Sequence, residues 1–355
     1  MNSFNEWDPL EEVIVGRVDD AMVPSWDVID VATLPNNSVE IFDQLIGTRG
    51  RPYSAELVQA AQTCLKNLIH ILEAEGVKVR RPDPMNFAAP FSTPAWNVDN
   101  GLHAANPRDV FLVIGDEIIE APMVDRGRYF ETWPYRSLLK EYLRGGARWT
   151  AAPKPQLLDA QYDWAYRMPE DHEAMRYVIT EFEPVFDAAD FIRCGRDIFV
   201  QKSHVTNDLG ITWLSRHLGE TYRIHEIETT YRQAMHIDTS FMPLAPGKVL
   251  VNPEFVPIER LPEILRSWDI LVCPQPVLTR KNSQGYVSKW GCVNVLMLDE
   301  KRILVEKAQE PLIKSLKDWG FEPIPLSFED YYFFGGSFHC CTLDVRRKGG
   351  LQSYF

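Results

Sequence analysis

Four short polar segments of this 355-residue chain carry side chains that could act together on a cationic carbon atom. They are 106–109, 182–190, 235–238 and 335–341, and they lie beside or between stretches with the periodicity of strands and helices. Cysteine, histidine and aspartate are the residues from which a nucleophile, a proton carrier and an orienting carboxylate are assembled. Because further carboxylates can hold a guanidinium by paired hydrogen bonds, such a set would suit attack on a guanidinium carbon.

Each of these residues also has a structural explanation when it is taken alone. Cys340 could be a small core residue, because free cysteines are commonly buried. Asp187 could cap a helix that begins at the next residue, and Asp109 could be a turn residue before a strand. His236 and Asp238 alternate, so we expect both to project from one face of a strand, as either a site or a surface pair would require. Spacing alone leaves both explanations open.

The neighbours of Cys340 are predicted to be structural. Gly335 and Gly336 would serve a tight turn, and Cys341 would be a structural cysteine. His339 is expected to point away from Cys340, because adjacent residues of a strand project to opposite faces.

A strand–helix–strand pattern occurs five times along the chain, and these elements must position the polar segments. The units are predicted, in the order strand, helix, strand, at 12–16, 54–75 and 77–81; 109–115, 133–144 and 147–150; 197–201, 206–218 and 222–227; 248–252, 257–267 and 269–273; and 293–298 with 302–306, 309–319 and 321–326. One such unit cannot bury its apolar face alone, so five of them favour pseudosymmetric closure of an α/β fold. An open α/β sheet fits the same alternation.

Composition argues against several classes of protein. A formal net charge of -13 repels the phosphates of nucleic acids and of anionic membranes, so neither is expected as a partner. The six cysteines form no CxxC pair, which predicts neither a metal site nor a disulfide framework. No glycine-rich nucleotide-binding motif occurs. The chain also lacks a signal-like start and an apolar stretch of ~20 residues, and we expect a cytoplasmic protein.

Longer motifs around these segments resemble the arginine amidinotransferase family. That family includes glycine amidinotransferase of creatine synthesis, inosamine-phosphate amidinotransferase and bacterial enzymes of toxin pathways. The resemblance extends from about residue 11 to the C-terminus and is densest in 182–207, 235–238, 288–302 and 338–354. It implies one catalytic domain over 1–355, with the family fold of an α/β propeller, a fivefold pseudosymmetric ring of ββαβ modules.

The resemblance also implies roles for individual residues. Cys340 matches the nucleophile, His236 the acid/base, and Asp187 the carboxylate that is paired with this histidine. Asp109 and Asp238 match the carboxylates that hold the guanidinium. The implied mechanism is ping-pong, with the amidino group of L-arginine waiting on the cysteine as a thiouronium after ornithine leaves. No metal or cofactor is required.

Further positions of the substrate pocket match less completely. Ser288 and Met235 match family residues, but His103 stands where the glycine enzyme has a tyrosine, and Phe255 where it has an arginine that grips the donor carboxylate. Gln233 and the alanine after it replace an Asn-Pro-containing loop. These departures argue against glycine as the acceptor.

The resulting prediction is an enzyme of bacterial specialised metabolism, in toxin or antibiotic biosynthesis, that transfers the amidino group of L-arginine to lysine or another amine. Two enzymes remain as alternatives, a guanidino hydrolase like arginine deiminase and a glycine amidinotransferase. A non-catalytic binding protein with the same ring fold is a third. The expected partners are small molecules, with a homodimer as in some relatives.

Overall fold

Short strands and a few helices make up the regular structure of the chain. The computed structural model describes residues 1–25, 27–34, 48–279 and 287–355. The strands within these residues are β1 (Leu10–Val15), β2 (Lys78–Arg80), β3 (Phe91–Ser92), β4 (Asn97–Val98), β5 (Phe111–Ile114), β6 (Glu117–Glu120), β7 (Arg148–Ala151), β8 (Phe191–Cys194), β9 (Asp197–Val200), β10 (Arg223–Glu226), β11 (Phe241–Ala245), β12 (Lys248–Val251), β13 (Asp269–Val272), β14 (Leu296–Met297), β15 (Arg302–Glu306), β16 (Glu322–Leu326) and β17 (Thr342–Arg347). The α-helices are α1 (Val28–Thr33), α2 (Ala55–Ala74), α3 (Pro107–Val110), α4 (Arg136–Arg144), α5 (Asp208–Leu218) and α6 (Glu310–Asp318).

Five three-stranded sheets share one arrangement. The middle strand of each runs antiparallel to one neighbour and parallel to the other, in the orders β5–β6–β7, β8–β9–β10, β11–β12–β13, β14–β15–β16 and β17–β1–β2. The last of these sheets joins the two ends of the chain, because Val13 of β1 pairs with Asp344 of β17. Each parallel pair is connected by a helical segment, so the fold is α/β with a repeated ββαβ unit.

In the five sheets, the sequence pattern predicted both strands of four parallel pairs, but it missed the middle strand of the β5–β6–β7 sheet and three of the antiparallel partners. The missed strands are β6, β8, β11 and β17. Every residue of the first three is buried, and so are five of the six residues of β17. A strand that is covered on both faces shows no polar–apolar alternation, which is the signal that the prediction used. In β11, Pro243 also argues against a strand.

The helix that was predicted over 257–267 is wrong. Two short 3-10 helices, Ile258–Arg260 and Glu263–Ser267, occupy this stretch. Pro262 is the physical reason, because its ring disfavours helical backbone at the preceding residue and it has no N–H to donate. Leu261 accordingly has an extended ψ of 143°.

Buried apolar side chains form clusters that connect neighbouring sheets. One cluster joins the sheets of β9, β12 and β15, through Phe199, Leu250 and Val305 among others. A second joins the sheets of β6 and β9 to Leu343 and Val345 of β17. A third packs β1 and α2 against β15. No helix in the described part of the chain has the length and apolar character needed to cross a membrane.

Candidate active site

Cys340 lies in a turn that leads into β17. The turn follows a 3-10 helix over Glu329–Phe334, after which Gly335 has a φ of +72°. This left-handed conformation favours glycine. A Cβ atom on Gly336 would lie 2.7 Å from the Cβ of Cys340, so the backbone approaches the cysteine more closely than a larger residue would allow. The glycine turn that the sequence predicted is therefore present.

The expectation that residues 339 and 340 are strand neighbours is wrong. Both lie in the turn, and β17 begins only at Thr342. They do not point to opposite faces, since both contact Oδ2 of Asp238, at 2.8 Å from Nδ1 of His339 and 3.3 Å from Sγ of Cys340. The alternation argument fails because a turn lacks the two-residue period of a strand. His339 is thus part of the surroundings of the thiol.

His236 and Asp238 also lie outside any strand, contrary to the expected strand face. His236 precedes a 3-10 helix over Ile237–Thr239 and has a φ of 61° and a ψ of 123°. Such backbone is strained in a residue other than glycine, and strained residues are concentrated at functional sites. A single tight turn nevertheless brings both side chains to the cavity that Cys340 lines.

Asp187 contacts the imidazole of His236 instead of capping a helix. It precedes a 3-10 helix over Ala188–Asp190, but its side chain accepts no hydrogen bond from the first turn. Its Oδ2 atom lies 3.0 Å from Nε2 of His236. On the other side of the ring, Nδ1 is 3.6 Å from Oδ1 of Asp109. The imidazole therefore lies between two buried carboxylates.

These carboxylates make His236 a cation near neutral pH. Burial of the ring opposes protonation, but the charge of Asp109 and the hydrogen bond and charge of Asp187 outweigh it and raise the pKa of His236 to about 10. A protonated imidazole can donate a proton to a leaving group. It becomes a base only after its proton has been given up.

Two polar side chains contact the thiol of Cys340, which is not ionised in the free protein. Nδ2 of Asn294 donates to Sγ at 3.0 Å, and the thiol donates to Oδ2 of Asp238. Burial, followed by the negative charges of Asp238 and Asp109, raises the pKa of the thiol well above its ordinary range. A bound cation would offset both carboxylates, so we expect the thiolate to form when a guanidinium is present.

Three carboxylate oxygens that belong to cavity-lining residues have no hydrogen-bond partner among the described residues. They are the Oδ1 atoms of Asp109, Asp187 and Asp238, and all three side chains are buried. A buried acceptor without a donor costs about 1–3 kcal/mol, so a ligand with several N–H groups would gain by filling these positions. A guanidinium offers such donors in a fixed plane.

Arg128 is a residue of the site that the sequence pattern did not single out. Its guanidinium is buried and donates to Asp109 at 2.8 Å, to Glu131 at 2.8 Å and to Asp187 at 3.4 Å. The planar fork of arginine suits several carboxylates at once. Arg128 therefore fixes the carboxylates of Asp109 and Asp187 and limits the repulsion between them.

The N-terminal segment reaches the site through Glu6, which sequence reasoning also missed. Its Oε2 atom lies 3.1 Å from Nε2 of His339, and Arg193 holds the carboxylate from the other side with contacts of 2.8 and 2.9 Å. His339 in turn contacts the carboxylate of Asp238 through Nδ1 and changes its pKa. Burial alone would raise the pKa of Asp238, but the hydrogen bond and the charge of His339 bring it below its usual value.

The other predicted pocket residues, His103, Met235 and Ser288, line the same cavity. Nδ1 of His103 accepts the N–H of Ala105 at 3.4 Å, and burial with the charge of Arg128 lowers the pKa of the ring to about 3. This histidine is therefore neutral. The hydroxyl of Ser288 accepts the N–H of Trp290 at 3.1 Å.

Phe255, by contrast, does not line the cavity. It stacks on Tyr231, with ring centroids 3.7 Å apart and an angle of 13° between the rings, and Tyr231 lines the cavity. Arg128 is the only arginine or lysine in the lining among the described residues, and its donors already face carboxylates. Phe255 thus fills its position with an apolar ring.

Three potential metal ligands also meet at this place. Atoms of Asp109, His236 and Cys340 lie within 4.8 Å of one another. A thiophilic divalent ion would have to displace the protons of the thiol and of the imidazole to bind all three. In the free protein the arrangement is better suited to a cation that brings its own hydrogen-bond donors.

Comparison with known proteins gives the family. No protein-family model matches the chain. It is 49% identical over 352 residues to the L-arginine:L-lysine amidinotransferase of Pseudomonas savastanoi pv. phaseolicola, covering 99% of this chain and 96% of the relative. It is 45% identical over 360 residues to the mitochondrial glycine amidinotransferase of Danio rerio, covering 99% and 84%. Among solved structures, SxtG, an amidinotransferase from Microseira wollei in the saxitoxin biosynthetic pathway, matches with a TM-score of 0.96 and 63% identity, covering 100% and 99%. The chain therefore belongs to the arginine amidinotransferase family, as its motifs predicted.

Proposed function

We propose that this protein transfers the amidino group of L-arginine to an amine, through a covalent intermediate on Cys340. The observation that carries the proposal is the cavity lined by the thiol of Cys340, the protonated His236 and three aspartates, each with a carboxylate oxygen that accepts no hydrogen bond from the described residues. Each of these features has a separate use in such a transfer. Membership of the family supports arginine as the donor.

The first half-reaction begins when the guanidinium of arginine lies between Asp109 and Asp238. Its positive charge favours loss of the thiol proton to solvent, and the sulfur of Cys340 then attacks the guanidinium carbon. The bond from this carbon to the ornithine nitrogen breaks. The electron pair stays on that nitrogen, and His236 gives it a proton. The amidino group remains on sulfur as a thiouronium, and L-ornithine leaves.

The second half-reaction is the reverse with a different amine. His236, now neutral, takes a proton from the incoming amine, whose nitrogen attacks the amidino carbon. The carbon–sulfur bond breaks, and sulfur departs as a thiolate. When the guanidino product leaves, the thiolate regains a proton from solvent, and Cys340 and His236 are again in their starting states. Asp187 holds the imidazole in the required orientation throughout.

The proposed acceptor is lysine or another amine other than glycine, in specialised metabolism. Phe255 supports this only as a departure from the glycine enzyme, because an apolar ring stacked on Tyr231 takes the place of an arginine of that enzyme. The names of two relatives, one that uses lysine and one in a toxin pathway, support it as well.

The same proposal includes the domain organisation, the cellular compartment and the oligomeric state. The shared core clusters and the pairing of β1 with β17 support a fivefold ring that forms a single catalytic domain over 1–355. Six free cysteines support a reducing compartment such as the cytoplasm. The exposed apolar side chains of Val272, Val277 and Leu278 support a homodimer, in which a second copy would cover them.

Mass spectrometry of the products tests the proposal. The protein is incubated with L-arginine and a panel of amines, with Cys340→Ser as the inactive control. Ornithine together with one guanidinylated amine is the expected result, and it names the acceptor. Citrulline and ammonia in every incubation would make the protein a hydrolase. An absence of both turnover and adduct would favour a binding protein.

A further inference from the structure

We propose that Asn294 is a further catalytic residue, which stabilises the Cys340 thiolate in both half-reactions. The proposal rests on the proposed function, because it takes Cys340 to be the nucleophile. Asn294 is buried, lines the cavity and contacts the reacting sulfur directly, with Nδ2 at 3.0 Å from Sγ. Nδ2 is the only hydrogen-bond donor that contacts this sulfur among the described residues.

The other end of the same amide fixes the turn that carries the cysteine. Oδ1 of Asn294 accepts the backbone N–H of His339 at 2.9 Å and that of Cys340 at 3.2 Å. The assignment of oxygen and nitrogen in this side chain is therefore determined, since only oxygen can accept two N–H bonds. The N–H₂ group has to face the sulfur. It is held there by the backbone of the residue that it serves.

The chemistry of the transfer gives this donor a use at each end of the reaction. A hydrogen bond to a thiolate is stronger than one to a thiol or to a sulfur that is bound to carbon. The sulfur carries negative charge before it attacks the donor, and again as it leaves the amidino carbon. A donor that is already in place stabilises both charged states without reorganisation. In the covalent intermediate the same contact is weak, so it does not trap the amidino group.

Asn294→Asp separates this role from the structural one. The aspartate keeps an oxygen for the two N–H groups of the turn but has no N–H for the sulfur. Asn294→Ala removes the donor without adding a charge. Asn207→Asp is the matched control, because Asn207 is also buried, accepts two backbone N–H groups from Val185 and Gly210, and donates to backbone oxygens outside the cavity.

The experiment measures how fast Cys340 gains the amidino mass when arginine is added without an acceptor, by rapid quench and intact-mass analysis. For both Asn294 variants we expect the rate to fall about 10- to 100-fold, as for loss of one hydrogen bond to a charged group. The concentration of arginine that gives half the maximal rate should change less than about threefold, because the donor does not contact the guanidinium in this scheme. Asn207→Asp should keep the wild-type rate.

Equal rates in wild type and Asn294→Asp would overturn the assignment, and so would an effect confined to the arginine concentration. Alkylation of Cys340 by iodoacetamide keeps the test independent of the proposed function, because it requires no substrate. At pH 9 we expect slower alkylation in both Asn294 variants than in wild type and Asn207→Asp. If wild type formed no arginine adduct while this order of alkylation held, the proposed function would fail and the role of Asn294 on the thiolate would stand.

Discussion

Substitution of Asp187 by asparagine tests the charge state of His236 by two measurements, turnover and the unfolding free energy at two pH values. The carboxylate lies 3.0 Å from Nε2 and supplies both a hydrogen bond and a charge to the imidazole. The amide of the variant would keep the shape of the side chain but not the charge. We expect Asp187→Asn to lose about 10²-fold or more in turnover, because the proton carrier loses its partner and its orientation.

The size of the effect on stability follows from the pKa of His236. It rises from 6.5 to about 10 on folding, which corresponds to roughly 5 kcal/mol in favour of the folded state with a protonated ring. Because the folded pKa lies above the unfolded one, this contribution is complete below pH 6.5 and is lost as the pH rises through 10. Asp109, Asp187 and Asp190 raise the pKa together. Asp187 should account for about 2 kcal/mol of the total, the usual contribution of a hydrogen bond to a charged group.

Urea denaturation at pH 6.5 and at pH 10.5 measures this contribution. The difference in unfolding free energy between wild type and Asp187→Asn should be about 2 kcal/mol larger at the lower pH. Asp197→Asn is the matched control, since Asp197 contacts His225 at 2.8 Å away from the cavity and its loss should leave turnover unchanged. The same difference at both pH values would refute a protonated His236, and turnover near that of wild type would refute the role of Asp187.

Three further substitutions probe other parts of the cavity. Asp109→Asn should raise the KM for arginine about 10- to 100-fold in steady-state assays, because an amide cannot pair with the guanidinium charge; an unchanged KM would place the donor elsewhere. Arg128→Met should lower the unfolding free energy in urea by roughly 3–5 kcal/mol, since it leaves buried carboxylates uncompensated; a neutral effect would contradict that network. Gly336→Ala should keep the circular dichroism spectrum but lose the arginine adduct, because the new Cβ would displace Cys340; normal adduct formation would show that the turn can move.

The fold was predictable from sequence where the two faces of an element differ. Helix α2 has one buried face, with Leu65, Leu68 and Leu72 on it, and its predicted limits agree with the structure to within a residue. Strand β8 is buried throughout, so its sequence lacks the contrast that periodicity requires. The 3-10 turns at 258–267 depend on Pro262, because a proline disfavours helical backbone at the residue before it.

The membership of the site was predictable, but its geometry was not. The residues that resemblance named line one cavity, with the exception of Phe255, whereas strand alternation misjudged His339 because a turn has no fixed period. Arg128 and Glu6 were missed for a different reason. Their contacts depend on chain segments that meet only in the folded protein, and 333 residues separate Glu6 from His339. No local pattern records such a pair.

The balance of charge in the cavity explains why arginine would activate its own attack. Four buried acidic side chains, Asp109, Glu131, Asp187 and Asp238, surround two cations, Arg128 and the protonated His236, so acidic groups are in surplus. Burial, together with the negative charges of Asp238 and Asp109, keeps the thiol of Cys340 neutral until a cation arrives. A guanidinium reduces the surplus, and the thiouronium that replaces it carries the same charge in almost the same place. The carboxylates that bind the guanidinium of arginine therefore also stabilise the thiouronium while ornithine is exchanged for the acceptor amine.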